Sequence, residues 1–94
     1  MAEEKARSKV FIDNDRVRVS EWRFAPGAAV GHHRHQFDYV VVPIMSGKLR
    51  VVNSSGEHLN ELKIGQPYFR EAGVEHNVFN SNDTEFAFIE VEIK

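Results

Sequence analysis

From Val10 onward the chain repeats one pattern: short runs in which apolar and polar side chains alternate, then a cluster of glycine, proline, asparagine or serine. Alternation with a period of two predicts strands, because successive strand side chains point to opposite faces. The first clear run covers 16–24, where Val17, Val19, Glu21 and Arg23 alternate with Arg18, Ser20, Trp22 and Phe24 before Ala25-Pro26-Gly27. Further strands are expected over 29–35, 39–45 and 48–53, the last two separated by Ser46-Gly47. Asn53-Ser54-Ser55-Gly56 reads as a hairpin turn into 57–64, and Gly65-Gln66-Pro67 opens a short strand at 68–70. The pattern ends with strands at 75–80 and 85–93; in the last, Ala87, Ile89, Val91 and Ile93 alternate with Phe88, Glu90 and Glu92. Pro43 argues against a central place in a sheet for its strand.

Seven or so short strands, with little room for helices, imply an all-β sandwich or barrel, in which antiparallel strands bury one face and protect their edges. At 94 residues and 41% hydrophobic side chains, one core is affordable and a second, cofactor-binding domain is not. The expected organisation is a flexible charged leader over 1–9, frayed up to about Ser8, followed by a single barrel over 10–94.

The formal charge of −2, with both signs mixed along the chain, gives no basic face for nucleic acid and no polybasic stretch for a membrane surface. The N-terminal MAEEKARSKV lacks the apolar stretch of a secretory signal, so a cytoplasmic location is expected. The absence of cysteine excludes disulfides, thiolate metal sites, iron–sulfur clusters and cysteine nucleophiles. Any metal must therefore be held by nitrogen and oxygen.

Three of the five histidines fall in His32-His33-Arg34-His35. In an extended chain His33 and His35 share a face, with Cα atoms roughly 6.5–7 Å apart, so their imidazoles can converge on one ion. A helix would pair His32 with His35 instead, but Gly31 before them and the β-branched run Val40-Val41-Val42 after them disfavour one. Two imidazoles hold a metal weakly, and His76, in the β-like run after Gly73, is the natural third ligand. His58 follows the Ser55-Gly56 turn and is expected to be an exposed hairpin residue without special role.

Gly27, five residues, then His33-Arg34-His35 and later Gly47 resemble the first motif of the cupin superfamily. Gly65, Gly73, His76 and Asn80 resemble the second, with Glu71 where the family has proline. Together the motifs span roughly 26–80. The resemblance implies a jelly-roll barrel, the double-stranded β-helix, with one divalent metal ion between the two histidine-bearing segments. Of the family's fourth ligand, an acidic residue, there is no direct counterpart: counted back from Gly47 it falls at Val40, and counted forward from His35 at Tyr39. Asp38 shares the strand face of Val40 and is the expected substitute if a bulge turns it inward, with the amide of Gln36 as the alternative.

A site of this kind suits Fe(II) or Mn(II) ahead of Ni(II) or Zn(II), and dioxygenation or metal-assisted isomerisation of a small polar metabolite. The alternatives are a non-catalytic module that binds or senses a small molecule, and a purely structural domain. Arg70 and Tyr39, with Arg50 and Arg23 behind them, are the candidates for recognising a substrate carboxylate or hydroxyl. Trp22, Phe69, Phe79, Phe86 and Phe88 fill the core or line a pocket, with no catalytic role assigned. The stretch from His33 to Pro43 also resembles small cupins associated with β-alanine and small-acid catabolism. A homodimer that covers an exposed sheet edge is expected.

Overall fold

The computed structural model describes residues 4–94, and every regular element among them is a strand. In chain order these are β1 (Arg7–Asp13), β2 (Val17–Phe24), β3 (His33–Arg34), β4 (Asp38–Pro43), β5 (Gly47–Asn53), β6 (Gly56–Leu62), β7 (Tyr68–Arg70), β8 (Glu75–Asn80) and β9 (Phe86–Ile93). They form a five-stranded sheet in the order β1-β2-β9-β4-β7 and a four-stranded sheet in the order β3-β8-β5-β6, with antiparallel neighbours throughout. This is the all-β barrel that the alternation pointed to, in the jelly-roll form that the resemblance implied.

The two inner faces meet around Phe24, Tyr39, Leu49, Leu62, Phe86 and Phe88, each at most 6% exposed. Fully burying a side chain of this size stabilises by about 1.5–3 kcal/mol, which makes this cluster the main cohesive element of the barrel. Gly47 sits against this packing. A Cβ there would fall 2.8 Å from the Phe86 ring and 2.9 Å from the Asn82 amide, so no larger residue fits without displacing one of them.

Two expectations change. The chain is ordered into a strand from Arg7, not Val10, and ahead of it Lys5 bridges Ala29, with Ala6 N–H donating to the Ala29 carbonyl at 2.9 Å. Alternation missed β1 because all seven of its residues are exposed, so no buried face imposes a pattern. The part of the expected leader at 1–3 lies outside the described residues. Pro43 is tolerated in β4, which runs between β9 and β7, because it is the last residue of the strand.

Asn80, the last residue of the second motif, ties the turns together. It is 3% exposed, and its amide N–H groups lie within reach of the carbonyls of Phe24 (3.2 Å), Ala25 (3.2 Å) and Thr84 (2.9 Å). Its Oδ1 accepts from the Asn82 backbone N–H at 2.9 Å and from the Asn82 side-chain amide at 2.6 Å. Replacing Asn80 with alanine removes these hydrogen bonds at a buried position, and is expected to cost about 2 kcal/mol in urea unfolding. An unchanged midpoint would show that the turns hold without it.

Candidate metal centre and its cavity

Strand β3 pairs with β8 in the register His33↔His76, and the pairing carries on past β3 through His35 N–H to the Val74 carbonyl at 2.9 Å. His33 and His35 thus keep the same face, as the extended reading required, and both turn toward His76. Their ring nitrogens converge: His33 Nε2 and His35 Nε2 are 3.0 Å apart, His35 Nε2 and His76 Nε2 are 3.2 Å apart, and one ligand atom from each residue lies within 4.8 Å of the others.

The donor set suits a cation. His33 Nδ1 lies 2.7 Å from the Gly31 carbonyl, which can only accept, so Nδ1 donates there and Nε2 is the nitrogen turned to the other two rings. Burial, and then the nearby His33 imidazole, hold both His35 and His76 down to about 4. Both rings are therefore neutral at pH 7, the form in which imidazole binds a metal. His32 turns outward, with Nε2 2.8 Å from Glu75 Oε1. His58 is exposed as expected, but it lines the same cavity without joining the three.

The structure does not bring Asp38 to this centre. In β4 the inward residues are Tyr39, Val41 and Pro43, so Asp38 falls on the outer face, where its Oδ1 accepts from the Ala72 N–H at 2.8 Å. No bulge separates Asp38 from Tyr39 to reverse that alternation, since both keep register with β9. Gln36 does line the cavity, and Tyr39, at the position counted forward from His35, stacks on the His35 ring with centroids 3.9 Å apart. Burial, and then the charge of Glu90, raise the Tyr39 phenol above its usual range, so it keeps its proton.

The cavity lies between the sheets, has a volume of about 590 Å³ and includes all three histidines. Its wall on the five-stranded sheet is built in cross-strand rows. One row runs Arg18, Glu92, Tyr39, Arg70; the next runs Ser20, Glu90, Val41, Tyr68; beyond it come Trp22, Phe88 and Pro43. Arg70 and Tyr39, the sequence candidates, are thus direct partners on the cavity wall. Arg50 and Arg23 are engaged elsewhere, with Glu57 at 2.7 Å and Glu21 at 2.8 Å. Trp22 and Phe88 line the cavity, Phe86 is buried in the core, and Phe69 is 49% exposed.

The residues that sequence reasoning missed are Glu90 and Glu92. Both line the cavity, and Glu90 is only 8% exposed. Burial, and then repulsion by Glu92, push the Glu90 carboxyl up to about 7 against the pull of Arg18. The available signal was the phase of β9: Phe86 and Phe88 are core residues, so Glu90 and Glu92, two and four positions beyond Phe88, share their face.

A jelly roll with three converging histidines on adjacent strands defines a cupin, and the comparisons with known proteins agree: the chain belongs to the cupin superfamily. It is 54% identical over 85 residues to the beta-alanine degradation protein BauB of Pseudomonas aeruginosa PAO1, covering 90% of each chain. It is 27% identical over 86 residues to an oxalate-binding protein of Thermotoga maritima, covering 92% of this chain and 69% of that one. The crystal structure of a cupin domain from Bordetella pertussis Tohama I superposes with a TM-score of 0.98 at 51% identity, covering 100% of this chain and 98% of that one. No family model matches the chain.

Proposed function

We propose that this protein is a metal-dependent cupin enzyme, of dioxygenase or isomerase type, that acts on a small carboxylate metabolite in the cytoplasm. The observation that carries the reading is the convergence of three imidazoles inside a cavity large enough for a small metabolite. His33, His35 and His76 would hold one divalent ion, Fe(II) or Mn(II) ahead of Ni(II) or Zn(II), with Asp38 left outside the ligand set. Bound there, such an ion supplies Lewis-acid polarisation of substrate oxygens or a site for dioxygen.

The chain's own groups do the rest. Arg70 offers a guanidinium to a carboxylate, the Tyr39 phenol donates a hydrogen bond, and the apolar walls at Val51, Val78 and Phe88 exclude water. The names of two relatives, one in β-alanine degradation and one binding oxalate, support a small carboxylate as ligand.

The test is the metal content of untagged, chelator-free protein by plasma mass spectrometry. About one equivalent per chain is expected. If none is found after anaerobic reconstitution with Fe(II), Mn(II), Ni(II) and Zn(II), the reading falls. The oxalate-binding relative favours a second reading, in which the protein binds or senses the ligand without turnover. Loaded protein that binds a carboxylate and forms no product would select it.

The barrel is also proposed to form a two-fold homodimer. The outer face of the five-stranded sheet is apolar at its centre, where Val91 pairs with Val19 on one side and Val40 on the other, and β1 leaves Val10, Phe11 and Ile12 about half exposed. Light scattering is expected to give twice the 10.8 kDa chain mass, and Val91→Glu to give the monomer. A wild-type mass of one chain at micromolar concentration removes the idea.

A further inference from the structure

The proposed reading holds a carboxylate at the level of the histidines; the part of the cavity below them sets what the rest of the ligand must be. Tyr39 stacks on His35, so the row Arg18, Glu92, Tyr39, Arg70 stands at histidine level, and every member of it is charged or hydrogen-bonding. One row further in, toward the buried pair Phe24 and Phe86, come Ser20, Glu90, Val41 and Tyr68, and after them Trp22, Phe88 and Pro43. The facing sheet changes in the same direction: His33 and His76 give way to Val78 and Val51, and these to Leu49. The cavity is thus polar at the metal site and has a floor of Trp22, Val41, Leu49, Val51, Val78 and Phe88.

Trp22 shows that this floor is open space and not sealed core. It points inward like Phe24 two residues on, yet Phe24 is completely buried and Trp22 only partly, and the indole lines the cavity. The volume of about 590 Å³ lies within the range of about 300–1,000 Å³ that accommodates larger organic ligands, and an acid of two or three carbons leaves most of it empty. Water fills the remainder poorly, because it needs about two to four polar partners and a floor of this composition offers few. Glu90 is the one carboxyl at mid-depth. Burial drives it toward the neutral acid, so hydrocarbon laid over it covers no fixed charge.

We infer that the site takes aryl-terminated carboxylates, with the carboxylate at the histidines beside Tyr39 and Arg70 and the ring against Trp22 and Phe88. Successive rows are about 6.5–7 Å apart, and a carboxylate two carbons from a phenyl ring reaches from the first row past the second. Trp22 and Phe88 are cross-strand partners, so one ligand ring can contact both. A short acid leaves these surfaces wet, whereas a ring covers them and gains affinity in proportion to the apolar area removed from water.

This inference rests on the metal reading above, and the experiment separates the two. Protein loaded with Co(II), whose visible absorption reports changes at its ligands, is titrated with propanoate and 3-phenylpropanoate, as wild type and as Val51→Phe, which puts a ring into the floor from the facing sheet. The phenyl acid is expected to bind at least about tenfold more tightly than propanoate to the wild type. In Val51→Phe the ratio should fall below about threefold. A smaller ratio in the wild type overturns the inference and leaves the metal reading standing, as does a larger one in Val51→Phe or a cobalt spectrum that responds to neither acid. Failure of the wild type to take up cobalt overturns both. If Val51→Phe does not fold or load, the wild-type ratio decides alone.

Discussion

Replacing His76 with alanine is expected to lower metal content from about one equivalent per chain to below roughly a tenth, because losing a ligand weakens metal affinity by more than the 10- to 100-fold typical of the groups that support one. The reason lies in the strand pairing. His76 stands opposite His33 on a neighbouring strand, so its loss leaves two imidazoles supplied by one short segment, with no carboxylate to replace the third. Asp38 cannot step in from the outer face, and Tyr39 keeps its proton. His33→Ala should behave in the same way. His32→Ala and His58→Ala should keep their metal, because neither nitrogen belongs to the converging set. The far-UV spectrum should stay that of a β protein in all four variants, since the core cluster contains none of these residues. Full occupancy in both His33→Ala and His76→Ala would remove the proposed centre.

The strands were readable wherever one face is buried. β2, β5, β8 and β9 fall where alternation and turn residues placed them, to within a residue at each end. Register there is enforced by burial, since a slip of one residue would expose the core face. The same logic explains the failures. β1 has no buried face to impose a pattern, and its hydrogen bonds to β2 rest on backbone geometry that the side chains do not announce. Asp38 was assigned from spacing in the family motif, but its orientation depends on how the chain turns between His35 and the start of β4, and side-chain types do not encode that turn uniquely.

The triad and the polar wall differ in the same way. His33, His35 and His76 were legible because a metal site needs particular atoms at a particular separation, which strand periodicity supplies for two of them and the second motif for the third. The wall was hidden because β9 has two convincing faces. Ile89, Val91 and Ile93 look like the buried set, yet they lie on the outer face, and Phe86, Phe88, Glu90 and Glu92 turn inward. Hydrophobicity alone favours the wrong face at the C-terminal half of this strand. The inward glutamates break the local rule, and such departures concentrate at binding sites.

Glu90→Gln tests the wall without reference to any ligand. The carboxyl titrates near 4.5 in the unfolded chain and near 7 in the folded protein, chiefly because burial disfavours the charge. Between those values the native state holds a proton that the unfolded state has lost, so stability falls as pH rises through this window. The stabilising share of Glu90 is complete below about pH 4.5 and is lost above about pH 7. The gap corresponds to a penalty of about 3 kcal/mol at pH 8. Glutamine has no such titration, so metal-free wild type and Glu90→Gln should melt at similar temperatures at pH 4.5, and the variant should melt on the order of 10 °C higher at pH 8. All other ionisable groups are common to the two proteins, so the comparison isolates position 90. A melting difference that is the same at both pH values would show that Glu90 ionises freely, and the wall would then be a solvated surface rather than a buried one.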